Sequence, residues 1–179
     1  QGFGDRRIED LPTTLRIATT DAATGASTIL ERGPLATALR ASMAVPMIFP
    51  SVEFGGRRLV DGVVSDPLPV AAARDAGAVL TLGFEGTMPR RVDRLSRLVA
   101  RTSTALINNL MQARIDTARA RGQRIVGIEL ELDRHVGLWQ TDAMPYLFEA
   151  GQRAVETRLD EIHAVLEART PRPDLWSMK

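Results

Sequence analysis

The alternation of short β-forming segments with longer helical patterns is the feature that most constrains the fold of this chain. Segments rich in β-branched and other apolar residues end at turn residues, which predicts strands over residues 15–21, 27–30, 52–54, 57–61, 78–84 and 125–132. Apolar residues at helical spacing predict helices after Gly33-Pro34 and over residues 68–76, 89–121 and 142–169. Strands that alternate with helices are typical of α/β proteins, so we predict an α/β fold with a mixed sheet.

The residues between the first four strands predict two hairpins. Asp21 and Gly25 provide turn chemistry between the first pair, and Gly55-Gly56 separates the second pair. The run over residues 78–84 is almost continuously apolar, which predicts a strand that is buried on both faces of a sheet.

Composition excludes several classes of function. The 179 residues suit one domain, and the absence of cysteine excludes disulfides, thiolate nucleophiles and cysteine-ligated metals. The net charge of +1 provides no global field for nucleic acid, so we expect no nucleic-acid partner. His135 and His163 lack the spacing of paired metal ligands, and no phosphate-binding glycine loop is present. We therefore expect neither a metal nor a cofactor.

Asp61 is the strongest candidate for chemistry. It ends a predicted strand and precedes Gly62, and ligands in open α/β sheets gather at strand ends, where a carboxylate can act in acid–base catalysis. The alternative interpretation is that Asp61-Gly62 only begins a turn.

An ordered series of residues surrounds Asp61 and extends the pattern in both directions. It comprises Leu11-Pro12, Ala18-Thr19-Thr20-Asp21, Ala41-Ser42-Met43-Ala44, Pro46, Phe49-Pro50, Leu59-Val60-Asp61-Gly62 and Leu68-Pro69-Val70. This series resembles the patatin-like phospholipase family of acyl hydrolases, most densely over residues 11–84. The resemblance implies the C-terminal part of a three-layer α/β/α domain with a mixed central sheet over residues 1–169, followed by a tail over residues 170–179.

The resemblance also implies a function. The family cleaves ester bonds of phospholipids and other acyl lipids with a Ser-Asp dyad, and its Asp-Gly-Gly or Asp-Gly-Ala motif corresponds here to Asp61-Gly62-Val63. Asp61 would then be the general base. Val63 replaces a small residue, and its β-branched side chain would be strained at any positive φ. Asp66-Pro67 stands where the family often has Asn-Asn.

An apolar loop between two prolines is the candidate contact for the acyl chain. Met47, Ile48 and Phe49 would be costly to expose unless they line something, and we expect them near the acyl pocket.

The nucleophile is the missing part of this chemistry. No serine lies in a G-x-S-x-G motif, and the resemblance implies that this serine and the glycine-rich oxyanion loop lie upstream of the matched segment. We therefore expect the chain alone to be inactive, and to associate with the N-terminal half of the same domain or with a second copy. The alternative function is a patatin-fold module that binds or regulates without catalysis.

The predicted helix over residues 89–121 is rich in arginine. Its basic residues are Arg90, Arg91, Arg94, Arg97, Arg101, Arg114, Arg119 and Arg121. They predict either peripheral contact with anionic lipid headgroups or an ordinary solvated face. A cytoplasmic or peripheral membrane location is favoured, and the sequence does not fix the compartment.

Overall fold

The computed structural model describes residues 3–83, 95–134, 136 and 140–167. These residues divide into two compact units. The first unit contains the described residues up to 72 together with residues 95–114, and the second contains residues 73–83 and those from 115 onward. The predicted tail over residues 170–179 lies outside the described residues, and so do His135 and the first part of the arginine-rich segment.

The first unit contains a four-stranded antiparallel sheet. Its strands are β1 (Ile17–Asp21), β2 (Ser27–Leu30), β3 (Val52–Phe54) and β4 (Arg57–Asp61), in the order β2-β1-β4-β3. Both predicted hairpins are present, and the second turns through Gly55 and Gly56, whose φ angles of 58° and 77° suit glycine. In the central pairing of β1 with β4, Thr19 lies opposite Asp61.

Helix α1 (Leu35–Ser42) covers one face of this sheet. Ala38 and Ala41 of α1 are fully buried. Their small side chains let the helix backbone approach the sheet closely. The sheet contributes Ile17, Leu30 and Leu59, of which Leu59 is 1% exposed. The core therefore lies between α1 and the strand that ends at Asp61.

The second unit contains a two-stranded parallel sheet together with helices. Strands β5 (Val79–Gly83) and β6 (Ile125–Glu129) pair in parallel, and helices α3 (Met144–Glu156) and α4 (Leu159–Glu167) follow them. Helix α2 (Leu95–Ala120) contributes residues to both units. Val126, Ile128 and Ile162 form a buried cluster. The mixture of helices with antiparallel and parallel strands confirms the α/β class.

Three local predictions need correction. Strand β5 alternates in burial, with Leu80 45% and Leu82 65% exposed, so it is not buried on both faces here. The single helix predicted over residues 142–169 is broken, because the chain makes a turn at Thr157 and Arg158 between α3 and α4. The helix predicted over residues 68–76 is only a 3₁₀ segment, Val70–Ala73.

Candidate active site

The backbone of Asp61 is fixed from three directions. Asp61 is the last residue of β4 and pairs with Thr19 on β1. Its N–H donates to the carbonyl of Ala44 at 3.0 Å, and its carbonyl accepts from Oγ1 of Thr20 at 2.8 Å. Thr20 is itself buried, so the strand end is held by contacts that water does not reach easily. A carboxylate on such a backbone is well placed for chemistry that needs fixed geometry.

The side chain of Asp61 is half-buried and makes one local hydrogen bond. Oδ1 accepts from the Val63 N–H at 2.8 Å, which caps the 3₁₀ turn Gly62–Val64. Burial raises the pKa of Asp61, and the hydrogen bond from Val63 offsets this only in part. A carboxylate with a raised pKa is a stronger proton acceptor, which suits a general base.

Gly62 is required by close approach of the backbone. A Cβ atom at this position would lie 2.7 Å from the carbonyl oxygen of Ala18 and 2.9 Å from its carbonyl carbon. Since these atoms belong to β1 and cannot rotate away, any side chain at position 62 would push the end of β4 from its neighbour. The glycine of the motif therefore keeps Asp61 in register.

Val63 does not adopt the positive φ at which its β-branched side chain would be strained. Within the part of the chain that the structure describes, the non-glycine residue with positive φ is Met47, and Val63 lies in the 3₁₀ turn instead. The Val63 N–H donates to Oδ1 of Asp61. Neither this hydrogen bond nor the 3₁₀ turn requires a small side chain at position 63.

The apolar loop of Met47, Ile48 and Phe49 begins close to the backbone of Asp61. Ala44, whose carbonyl accepts from the Asp61 N–H, lies three residues before Met47. Met47 is fully exposed with a φ of 71°, and Ile48 and Phe49 are about half exposed, with both N–H groups donating to Val45. A positive φ at a non-glycine residue costs about 1 kcal/mol or more, so the loop presents Met47 outward at some energetic cost.

Two residues that sequence reasoning did not identify support the turn after Asp61. Asp66 is buried, and its Oδ1 lies 3.1 Å from Nε of Arg114 on α2. The two atoms form an ion pair rather than a well-aligned hydrogen bond. Burial raises the pKa of Asp66, and the guanidinium of Arg114 counteracts this in part. From the sequence, Asp66-Pro67 is only a departure from the family pattern, and no sequence signal joins Asp66 to Arg114.

The described part of the arginine-rich helix does not present all its basic residues to solvent. Arg114 is turned toward Asp66, whereas Arg101 and Arg119 are exposed. No helix among the described residues is both long enough and apolar enough to cross a bilayer.

Two grooves formed by described residues lie apart from Asp61. A groove of about 220 Å³ in the first unit is lined by Glu9, Leu11 and Arg16 among others, and one of about 760 Å³ in the second unit is lined by Glu129 and Arg153 among others. Asp61 lines neither groove. Over residues 3–83, 95–134 and 140–167, no group of three or more metal-ligating side chains is close enough to hold an ion.

Comparison with known proteins agrees with the motif. The family model described as patatin-like phospholipase matches residues 2–74. Two proteins named uncharacterized NTE family protein, from Mycobacterium bovis and Mycobacterium tuberculosis, are 42% identical over 79 residues, which is 44% of this chain and 22% of theirs. A further M. tuberculosis protein of that name is 36% identical over 87 residues, 48% of this chain and 15% of its own length. The chain thus spans about a fifth of the length of the first relatives. The match over residues 2–74, which include Asp61 and the apolar loop, makes this segment of the chain similar to the patatin-like phospholipase family.

Proposed function

We propose that this chain is the aspartate-bearing part of a patatin-like serine acyl hydrolase that cleaves ester bonds of phospholipids or other acyl lipids. At the level of the family, the match over residues 2–74 supports a lipid acyl hydrolase. The observation that carries the proposal for this chain is Asp61 itself, a half-buried carboxylate with a raised pKa on a backbone held by Ala44, Thr19 and Thr20.

Asp61 is the general base in this proposal. Val63 occupies Oδ1, so Oδ2 accepts the proton of a serine hydroxyl as the serine oxygen attacks the ester carbonyl. The same proton passes to the leaving alkoxide when the tetrahedral intermediate collapses to an acyl-enzyme. Asp61 then takes a proton from water, whose oxygen attacks the acyl carbon, and returns that proton to the serine. No histidine is needed in this sequence of transfers.

The serine and the oxyanion donors belong to a segment outside these 179 residues, since no G-x-S-x-G motif is present in them. An oxyanion donor contributes about 10²–10³ in rate, so the isolated chain is inactive in this proposal. The functional form is a full-length protein that unites the serine-bearing segment with this chain, and its substrate is an acyl lipid. Met47, Ile48 and Phe49 contact the acyl chain, because they leave apolar surface exposed in the loop that begins beside Asp61.

The test is Asp61→Asn in the full-length protein, with hydrolysis of a phospholipid and of a simple acyl ester as the readouts. Asparagine keeps the acceptor for the Val63 N–H but cannot take the serine proton, so we expect kcat to fall by about 10³-fold or more while the protein stays folded.

Asp21 supplies a matched control. It also ends a strand of the same sheet and caps a turn, through Ala23 and Thr24, but those hydrogen bonds lower its pKa. Asp21→Asn should leave kcat within about twofold of the parent. Full activity in Asp61→Asn would refute the general-base role. An intact full-length protein with no esterase activity would favour the non-catalytic module instead.

A further inference from the structure

A buried ion pair holds the turn that follows Asp61. Asp66 is 7% exposed, and its counter-charge is the guanidinium of Arg114, at 3.1 Å between Oδ1 and Nε. Burial of an unpaired carboxylate is strongly unfavourable, so the position of Asp66 depends on Arg114.

The same guanidinium makes a second contact with this turn. Its second terminal nitrogen, Nη2, donates to the carbonyl of Ser65 at 3.3 Å, so one side chain from α2 contacts two consecutive residues. The N–H groups of Ser65 and Asp66 both donate to the carbonyl of Gly62, at 3.2 and 2.8 Å. The closed turn therefore ends at the residue next to Asp61, and any displacement of Asp66 is transmitted to Gly62.

A hydroxyl pair connects the turn back to the strand. Oγ of Ser65 lies 2.8 Å from Oγ1 of Thr20, and Thr20 donates to the carbonyl of Asp61 at 2.8 Å. The segment from Asp61 to Asp66 is thus held by β1 at one side and by α2 at the other. Within it lies the Val63 N–H, which orients the Asp61 carboxylate.

We propose that Arg114 is a positioning residue for Asp61, acting through Asp66 and Ser65; this rests on the proposed function of Asp61. Arg114 lies outside the family-matched residues 2–74 and does not touch the reacting atoms. When the guanidinium is removed, the turn from Gly62 to Asp66 relaxes, and the Val63 N–H no longer holds Oδ1 in its catalytic orientation.

The kinetic test compares Arg114→Met and Arg114→Lys in the full-length protein with Arg40→Met, which removes an exposed arginine from α1. We expect Arg114→Met to lower kcat by about tenfold or more with KM within about twofold, because the base is misplaced and the substrate contacts are kept. Arg114→Lys keeps the charge but loses the fork that spans two residues, so it should recover part of kcat. Arg40→Met should match the parent.

A second readout does not depend on catalysis. In ¹⁵N-labelled protein the Val63 amide resonance reports the Asp61 carboxylate, and we expect Arg114→Met to shift this resonance and the pH midpoint of its titration. A merely stabilising role for Arg114 would lower the free energy of unfolding but leave kcat and the Val63 resonance unchanged, and that result would overturn the proposal.

One further variant, Asp66→Asn, keeps the test decisive. If Arg114→Met does not fold, Arg114→Lys and the isosteric Asp66→Asn replace it, and parent-like Val63 resonances in both would equally overturn the proposal. The proposed function fails separately, through an active Asp61→Asn, whatever the Val63 resonance shows.

Discussion

Substitution of Gly62 by alanine would test the geometry on which the site depends. The added methyl group would lie 2.7 Å from the carbonyl oxygen of Ala18, 2.9 Å from its carbonyl carbon and 3.1 Å from its Cβ. These atoms belong to or are fixed by the backbone of β1, so the clash can be relieved only when the end of β4 moves away. That movement strains the hydrogen bonds that pair Thr19 and Thr20 with the Asp61 end of β4.

The expected cost follows from this contact. Forcing an extra methyl group into a packed site costs about 1–3 kcal/mol, and the smaller entropy of the unfolded alanine chain returns about 0.4–1 kcal/mol. We therefore expect Gly62→Ala to lower the free energy of unfolding by roughly 1–2 kcal/mol, which for a protein of this size lowers Tm by about 2–8 °C. In the full-length protein, kcat should fall as well, since a displacement of about 1 Å at a catalytic group can cost about 10²-fold.

Urea unfolding followed by circular dichroism measures the first effect, and Gly151→Ala is the matched control. Gly151 lies inside α3, and a Cβ there meets nothing within 4 Å, so this change should stabilise the protein by about 0.5–1 kcal/mol. Opposite signs for the two variants are the expected result. A Gly62→Ala protein as stable as its parent would show that β1 and β4 are not in this close contact.

Two other substitutions test the hydrogen bonds made by the side chains of Glu9 and Tyr146. The Glu9 carboxylate accepts hydrogen bonds from its own N–H and from the N–H of Gly33, and these bonds lower the pKa of Glu9 to about 2. The contribution of the ionised Glu9 to stability is therefore present above pH 4.5 and lost as the pH falls toward 2. Glu9→Gln should therefore flatten the pH dependence of the urea midpoint between pH 4.5 and 2, and an unchanged slope would contradict this. The hydroxyl of Tyr146 donates to Oδ1 of Asp133 and accepts from its N–H at 3.0 Å. Tyr146→Phe should destabilise by about 1 kcal/mol, seen in urea unfolding, and a neutral result would contradict these hydrogen bonds.

Local chemistry explains why the sequence predicts the first unit well. Gly55-Gly56 supplies two positive φ angles in succession, and Pro34 occupies a position just before α1 that needs no N–H from the helix ladder. Each of these signals acts within a few residues. The position of Asp61 at a strand end could be predicted for the same reason.

Features that depend on distant residues could not be predicted in this way. Arg114 follows Asp66 by 48 residues, and neither residue type signals burial on its own. The exposed leucines of β5 show the same limit. An apolar run predicts a strand, but it does not predict which neighbouring residues cover the side chains of that strand. The break between α3 and α4 carries no glycine or proline, so helical periodicity alone continues through it.

The Asp66–Arg114 pair has a consequence for how this protein should be dissected. A fragment trimmed to the family-matched segment, residues 2–74, would retain the whole recognisable motif and discard the cation that neutralises its interior. Its orphaned carboxylate would have to capture a proton or rotate into solvent. A fragment whose boundaries are chosen from similarity alone would therefore keep the family motif and lose the ion pair that stabilises it.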